Sequence, residues 1–362
     1  MIQALSEHPP ASILVVLPTW LGDFVMSTPF LRAVRARYPD AEITLLAEGN
    51  LRDLIRGGNW MDDVVEWPAR ERRRPWHGEQ RAMVKALRAR RFDWAILLPN
   101  SFRSAMLVWL CGAKRRIGYD RDGRGLLLTD RVPVRNREGR HFKPMRMVDY
   151  YGDLAEAMGC PWPGDEFELF TTLEGDESAT HRLESWGILG RRPLVVISPG
   201  AKYGAAKCWF PDRFAAAADR LIDEQGAAVV ITCGPGEESI AREISKKMKH
   251  DAAVSDAPLL SLDALKSLIA RADLVLCNDA GPRHIAKAFQ VPVVTVFGPT
   301  HPEWTATGYP AERIVRIDID CGPCQKRICP LGHMDCMRGV TVDAVVQACQ
   351  ALLAGKKGRV PA

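Results

Sequence analysis

The chain has 362 residues, more than the ~250–300 at which one hydrophobic core stops growing, so two domains are expected. With 47% hydrophobic and 26% charged residues, its composition excludes a largely disordered protein. The net charge of +5 is modest, but basic residues concentrate in the N-terminal half, which indicates either an anionic partner or a solvated basic face.

Targeting and membrane segments are not evident. The first Lys or Arg is Arg32, and the apolar run 13–17 is too short for the core of a secretory signal. The longest apolar stretch, 105–111, falls far below the ~18–20 residues that cross a bilayer. The chain is therefore expected in the cytoplasm, and contact with a membrane surface stays open.

Alternating apolar and amphipathic segments predict a first doubly wound α/β domain. The run ILVVL at 13–17 is typical of a buried parallel strand, and a helix with Met26 and Tyr38 on its apolar face follows. Further strands are predicted at 43–47, 64–66, 94–98 and 116–119, and further helices at 80–90 and 102–110.

The pattern breaks at Pro161, Pro163 and Gly164, and 166–174 is predicted to be an extended connection. Alternation then resumes, which predicts a second domain of the same class. Its predicted strands are 194–198, 228–233, 274–278 and 293–297, and its predicted helices are 213–223, 237–249, 262–270, 283–289 and 342–353. The expected divisions are 1–175, 176–340, and a C-terminal helix and tail at 341–362 that returns toward the first domain.

Ligands of doubly wound sheets bind beyond the carboxyl ends of the strands, so two such domains would enclose a site in the cleft between them. The predicted strand 274–278 is followed by Asp279, Ala280, Gly281 and His284, and the next strand by Gly298 and Thr300. Two neighbouring glycine-opened loops, one leading into a helix, can cradle a diphosphate. Asp279 could instead be an ordinary helix cap.

Three more loops carry candidate side chains. Lys207, fixed by the adjacent Trp209, can neutralise a departing diphosphate, with Lys202 in reserve. Glu238 follows a Gly-x-Gly turn and is interpreted as a ribose ligand, or as a first-turn acid of its helix. Asp23, at the end of the first strand, is a candidate general base for an attacking hydroxyl, or the cap of a helix from residue 24.

These segments together resemble a known family, the ADP-heptose:lipopolysaccharide heptosyltransferases of glycosyltransferase family 9. The motifs are LPTWLGD at 17–23, LPNSFRS at 98–104, PGAKYGAAKCW at 199–209, NDAGPRH at 278–284 and FGPT at 297–300. The second and third are most similar to heptosyltransferase II. The resemblance covers nearly the whole chain, with the motifs in the same order.

The resemblance implies a GT-B fold, two Rossmann-like domains facing a cleft, and an inverting reaction that requires no metal or other cofactor. It implies an ADP-L-glycero-D-manno-heptose donor, an acceptor of the lipid A–Kdo–heptose type, peripheral contact with the cytoplasmic face of the inner membrane, and no nucleic acid. Asp23 matches the family's base and Lys207 its diphosphate-neutralising lysine. Glu238 matches its ribose-binding acid, and Asp279, Gly281 and His284 its donor loop.

The acceptor is expected to meet the basic loop 70–74, whose arginines are Arg70, Arg72, Arg73 and Arg74. Two positions depart from the family pattern. Ala280 replaces the usual Ser or Thr, which removes one hydroxyl contact, and Pro282 is unusual there. The first departure motivates a rival hypothesis, the same fold acting on another nucleotide sugar. Two further hypotheses are a nicotinamide-dependent oxidoreductase built on the 234–239 turn and a non-catalytic module that binds anionic polymers.

Ten cysteines are many for a cytoplasmic chain. Six are interpreted as reduced core residues: Cys111, Cys160, Cys208, Cys233, Cys277 and Cys349. The remaining four, Cys321, Cys324, Cys329 and Cys336, fall within sixteen residues. The first pair has a chelating spacing, but the later gaps match neither a zinc ribbon nor a ferredoxin. A structural zinc site, two disulfides and free thiols all stay open, and no catalytic role is expected of these cysteines.

Overall fold

The computed structural model of the chain describes residues 9–68, 78–139 and 141–356. Tertiary contacts divide the chain into two units, Met1–Phe170 and Thr171–Ala362. Each unit is built on its own parallel six-stranded sheet covered by helices, which confirms the α/β class expected of a GT-B protein.

The sheet of the first unit has the strand order β3-β2-β1-β4-β5-β6, with every pairing parallel. Its strands are β1 (Ser12–Val16), β2 (Glu42–Glu48), β3 (Asp63–Trp67), β4 (Trp94–Leu97), β5 (Arg115–Tyr119) and β6 (Asp130–Val132). The central strand β1 is fully buried from Ile13 to Val16. An unbroken apolar run suits a strand that helices cover on both faces.

Helices and a short hairpin complete the first unit. The helices are α1 (Leu21–Met26), α2 (Thr28–Arg37), α3 (Arg52–Ile55), α4 (Gly78–Ala89), α5 (Phe102–Leu110) and α6 (Met147–Ala157), and the antiparallel hairpin joins β7 (Arg137–Glu138) to β8 (His141–Phe142). The side chain of Ser101 accepts a hydrogen bond from the backbone N–H of Ser104, which caps α5.

The second unit repeats the topology, with the strand order β11-β10-β9-β12-β13-β14 and parallel pairing throughout. Its strands are β9 (Leu194–Ser198), β10 (Ala228–Thr232), β11 (Ala253–Ser255), β12 (Leu274–Asn278), β13 (Val293–Val296) and β14 (Glu312–Val315). This order places the carboxyl ends of β9, β12 and β13 side by side. The loops that follow these three strands therefore lie at one edge of the sheet.

The helices of the second unit are α7 (Leu173–Ser185), α8 (Pro211–Gln225), α9 (Glu238–Lys247), α10 (Leu262–Ala270), α11 (Gly281–Ala288), α12 (Asp335–Arg338) and α13 (Val342–Lys356). Proline at the first position of α8 and Gly226 in the left-handed conformation after it fix the two ends of that helix. The last helix, α13, packs on α8 and on β12, β13 and β14 of its own unit.

Several elements differ from the sequence-based prediction. Helix α1 begins at Leu21, so Asp23 lies inside its first turn and is not the cap of a helix from residue 24. The extended connection predicted at 166–174 is wrong at its end, because α7 begins at Leu173 with Thr172 as its cap. Among the described helices, none combines the length and the apolar character that a membrane crossing requires.

Candidate active site

The predicted lysine and the predicted donor-loop aspartate form an ion pair in the second unit. A 3₁₀ turn at Ala205–Lys207, in the loop after β9, carries the lysine toward the end of β12. Lys207 Nζ lies 2.5 Å from Asp279 Oδ2 and donates to the Asp279 carbonyl at 3.2 Å. The two side chains are only 11% and 5% exposed. Lys207 is therefore held at one position at the carboxyl edge of the sheet.

Arg283 extends this pair into a buried network. Its guanidinium, fully buried, lies 3.2 Å from Asp279 Oδ1 and also pairs with Glu312. Thr300 donates to Asp279 Oδ2 at 2.9 Å, and Thr305 accepts from Arg283 at 2.7 Å. The loops after β9, β12 and β13 thus share one set of polar contacts. In this network the positive charges of Lys207 and Arg283 equal in number the negative charges of Asp279 and Glu312.

The charges of this network set the protonation of its members. Burial alone would raise the pKa of Asp279, but Lys207 and then Arg283 bring that pKa below its ordinary value. Burial, followed by the nearby Arg283, lowers the pKa of His284 to about 3. At neutral pH the site therefore contains an ionised carboxylate and a neutral imidazole.

Asn278, at the end of β12, hydrogen-bonds to both ends of the loop 199–209 that carries Lys207, here called the lysine loop. This buried amide donates to the Pro199 carbonyl at 2.6 Å and accepts from the Trp209 backbone N–H at 3.1 Å, so it holds both ends of the loop. The Trp209 indole, also buried, donates to the Val340 carbonyl at 3.1 Å. Lys202, in contrast, is exposed. The structure brings Lys207 into the network and leaves Lys202 outside it.

The two glycine-opened loops lie next to each other, because β12 pairs with β13. Ala280 is the residue before α11 and supplies no side-chain cap, and Gly281 begins the helix. Gly298 approaches Met337 so closely that an added Cβ would lie 2.2 Å from its Sδ. The absence of a side chain at Gly298 lets this loop pack tightly.

The Gly-x-Gly turn follows β10, which is the second strand of its unit. A dinucleotide fingerprint belongs to the first strand–helix turn, so this position does not favour the oxidoreductase hypothesis. Glu237 Oε2 accepts from the Gly234 N–H at 3.1 Å. Glu238 begins α9, and hydrogen bonds from its own backbone N–H and that of Gly236 lower the pKa of its carboxyl. Glu238 is therefore an acid in the first turn of α9, in the loop region that follows β10, the neighbour of β9.

Asp23 lies in the first unit, in the first turn of α1 and partly exposed. The residue before this helix, Trp20, makes no side-chain cap. Burial and then the neighbouring Asp23 charge raise the pKa of the Tyr151 hydroxyl, so the carboxylate lies close to this buried phenol.

The arginines predicted to meet the acceptor, Arg70, Arg72, Arg73 and Arg74, lie outside the described residues. All ten cysteines are free of disulfide bonds. Hydrogen bonds from the backbone N–H of Met334 and of residues 331–333 lower the pKa of the Cys329 thiol. Across the described ranges, no three His, Cys, Asp or Glu side chains are arranged as the ligands of a metal ion.

Sequence reasoning missed three residues of the site: Asn278, Arg283 and Glu312. Arg283 lies four residues after Asp279, in the first turn of α11, and nothing in the sequence indicates that its guanidinium turns back to this carboxylate. Glu312 offered no signal, because β14 is a short edge strand that the hydrophobic pattern does not reveal.

Comparison with known proteins agrees with this architecture. The family model for glycosyltransferase family 9 (heptosyltransferase) matches residues 80–335. The chain is 30% identical to lipopolysaccharide heptosyltransferase 2 of Escherichia coli (strain K12), over 94% of this chain and 98% of that protein. It is 30% identical to lipooligosaccharide heptosyltransferase 2 of Haemophilus ducreyi, over 94% and 99%. The solved structure of E. coli ADP-heptose LPS heptosyltransferase II matches with a TM-score of 0.77 at 26% identity, over 96% of this chain and all of that one. This chain belongs to glycosyltransferase family 9, the heptosyltransferase family.

Proposed function

We propose that this protein transfers heptose from ADP-L-glycero-D-manno-heptose to the inner core of lipopolysaccharide. The observation that carries the proposal is the buried Lys207–Asp279–Arg283 network at the carboxyl edge of a family 9 sheet. The relatives with full-length similarity are named for heptose transfer to lipopolysaccharide or lipooligosaccharide, and the similar solved structure for ADP-heptose.

Lys207 is proposed to stabilise the departing ADP. Its ammonium is already paired with Asp279, so it is positioned before any donor arrives. A cation fixed in advance stabilises developing charge without reorganising when the bond breaks. Thr300 and the first amides of α11 are proposed to hold the diphosphate beside it, with Ala280 and Gly281 keeping the backbone accessible and Gly298 letting the loop of Thr300 pack closely.

Asp23 is proposed to accept the proton of the attacking acceptor hydroxyl. Asp23 is a partly exposed carboxylate in the first turn of α1, and a carboxylate has the proton-accepting chemistry that the step needs. The hydroxyl oxygen would bond to the anomeric carbon as the bond to ADP breaks, in one displacement that inverts this carbon. Lys207 supplies positive charge at the leaving group, so the proposed mechanism requires no metal ion.

The basic loop 70–74 is proposed to recognise the acceptor. A lipopolysaccharide core carries carboxylate and phosphate groups, and the planar guanidinium of Arg72, Arg73 or Arg74 can donate two parallel hydrogen bonds to either. Together with these contacts, peripheral association with the cytoplasmic face of the inner membrane would bring the enzyme to its lipid-linked acceptor.

The test is ADP release from ADP-heptose, measured with and without a truncated core acceptor, beside UDP- and GDP-sugars. Acceptor-dependent release from ADP-heptose alone is expected. Replacing Arg72, Arg73 and Arg74 by Ala should raise the acceptor KM and leave the donor KM nearly constant. Faster release from another nucleotide sugar would favour the rival donor that Ala280 motivates, and acceptor binding without any release would favour a binding module.

A further inference from the structure

A small cavity lies within the thiol loop, defined as residues 321–336. Its volume is about 30 Å³, and all four cysteines of the loop line it: Cys321, Cys324, Cys329 and Cys336. A space of this size exceeds the ~10–15 Å³ that one water molecule needs. It can therefore hold a single ion among four sulfur atoms.

His333 also lines the cavity, and its hydrogen bonds give it a role other than ligand. The backbone N–H of Asp335 donates to His333 Nδ1 at 2.9 Å. In the tautomer whose Nδ1 accepts this hydrogen bond the proton lies on Nε2, which is 3.9 Å from Cys321 Sγ. His333 thus donates toward a sulfur, as residues around metal-bound thiolates do. Four sulfur atoms remain as the donor set.

The backbone of the thiol loop curves around the sulfur of Cys329. The N–H groups of residues 331–334 hydrogen-bond to this sulfur, and Gly332 and Met334 have the positive φ angles that turn the segment around it. Four sulfur ligands in tetrahedral arrangement are characteristic of zinc or iron.

We propose that Cys321, Cys324, Cys329 and Cys336 bind one thiophilic divalent cation, Zn²⁺ in the first instance. The described side chains surround the cavity without converging on one centre. Zn–S bonds of ~2.3 Å would draw the sulfur atoms together and compact the loop. The ion has no part in the chemistry.

The thiol loop also contacts both the loop after β9, which carries Lys207, and the loop after β13, which carries Thr300. Ala206 and Pro299, one from each loop, line the same cavity. The Arg327 carbonyl accepts from the Ala206 N–H at 3.1 Å, and the Gln325 N–H donates to the Pro299 carbonyl at 2.8 Å. The Tyr203 hydroxyl donates to the Gln325 carbonyl at 2.8 Å. The loop therefore spans from the lysine loop to the loop that carries Thr300.

The bound ion would position Lys207 and Thr300 relative to each other, a consequence that rests on the proposed function. Met337, directly after the thiol loop, is fully buried against Gly298. Compaction by the ion would therefore be transmitted to both sides of the diphosphate position.

Metal content of the full chain, purified without chelator, is the first measurement. About one equivalent of zinc is expected, and iron in its place would support the same site. Replacing Cys324 and Cys329 together by Ser should abolish binding, whereas Cys111→Ala, a buried thiol of the first unit, should keep it. Titrating the chelated wild-type chain with Co²⁺ should produce sulfur-to-cobalt charge-transfer absorption, a test that does not require the variant to fold.

ADP affinity, measured by calorimetry on the chelated and the zinc-restored wild-type chain, is the second measurement. Removal of the ion should weaken ADP binding on the order of tenfold, and restoration should reverse the loss. The readout is binding, so it does not depend on which sugar or acceptor the enzyme uses. A chain that binds zinc and ADP as expected but transfers no heptose would contradict the proposed function and leave this proposal standing.

Three results would overturn the proposal. Less than about a tenth of an equivalent of metal, together with no cobalt absorption, would show that the four cysteines bind no metal ion. Disulfides among the four cysteines in the non-reduced protein would assign the cluster to cross-linking. An ADP affinity that does not change when the ion is removed would exclude the positioning role.

Discussion

At the scale of single residues, Asp279 is not the helix cap that its alternative interpretation offered, because the N-cap of α11 is Ala280. As a helix cap it would accept from backbone amides, but it instead lies between Lys207 and Arg283. A buried carboxylate with two cationic partners stays ionised. Asp279 therefore fixes the ammonium of Lys207, which the proposed reaction uses. Its part in donor binding stays a prediction, and its second partner, Arg283, was not predicted.

Replacing Lys207 by Ala should lower kcat about 10²–10³-fold, as loss of one fixed group that stabilises developing charge does. Asp279 keeps Arg283 as a partner, so the variant should fold. Lys202→Ala is the matched control, because this exposed lysine lies in the same loop outside the network. Steady-state kinetics on both variants is the measurement. Equal losses for the two would show that only the loop's overall charge matters.

Asp23→Asn should fold normally, bind ADP with unchanged affinity and lose about 10²–10⁴-fold in kcat, because the amide cannot accept the acceptor proton. Asp23 is not a cap residue, so helix α1 should survive the change. Circular dichroism and calorimetric ADP binding control for folding and donor binding. Activity within a few-fold of wild type would reduce Asp23 to an acid in the first turn of a helix.

His284 should make stability depend on pH between about 3 and 6.5. Its pKa in the folded chain is about 3, against an ordinary value of 6.5. The unfolded chain then binds more protons in this range, so the free energy of unfolding falls as pH drops, by at most about 1.4 kcal/mol per pH unit. The contribution is fully present above pH 6.5.

His284→Gln should flatten this dependence, whereas replacing the exposed His181 by Gln should not. Chemical denaturation at several pH values between 4 and 7 measures both. A slope that is the same in all three proteins would mean that other groups carry the dependence.

At the scale of elements, the sequence predicted best where the sheet is most buried. The central strands β1, β9 and β12 were readable because unbroken apolar runs are covered on both faces. The short edge strands β6, β11 and β14 carry too few apolar residues to produce a pattern. Helix α7 was missed because its sequence, LEGDESATHRLES, is mainly polar.

In the candidate site too, loops near the central strands were predictable from the sequence, whereas side chains of edge strands were not. Loops after central strands were identifiable from topology, since parallel strands end at one edge. The partners of Asp279 depend on where an edge strand and the thiol loop pack, and these contacts arise only in the folded unit. Glu312 and Asn278 are examples, because neither residue type nor spacing marks them in the chain.

Gly204→Ala should separate the lysine loop from the thiol loop. An added Cβ would lie 2.4 Å from the Arg327 carbonyl oxygen, a backbone atom that cannot move by changing rotamer. We expect a lower Tm and an ADP affinity weakened on the order of tenfold. Gly355→Ala, in helix α13 with no atom near its added Cβ, is the control. An ADP affinity equal to that of wild type would show that the contact between these loops does not position Lys207.

At the scale of the whole molecule, one topology is used twice. Both sheets follow the order in which the first strand lies at the centre and the fourth pairs beside it. Such an order leaves a binding position at the carboxyl ends of its central strands. In the second unit that position carries the Lys207 network. In the first unit the residues directly after the central strand lead into Asp23.

Transfer of heptose from ADP-heptose onto a lipopolysaccharide core can be measured directly by mass spectrometry. A truncated core acceptor is incubated with ADP-heptose and the wild-type protein, with the Asp23→Asn protein as the matched control. We expect an acceptor heavier by one heptosyl unit with wild type and little or no product with the variant. An unchanged acceptor with active, ADP-binding wild-type protein, or a sugar added only from another nucleotide donor, would contradict this expectation.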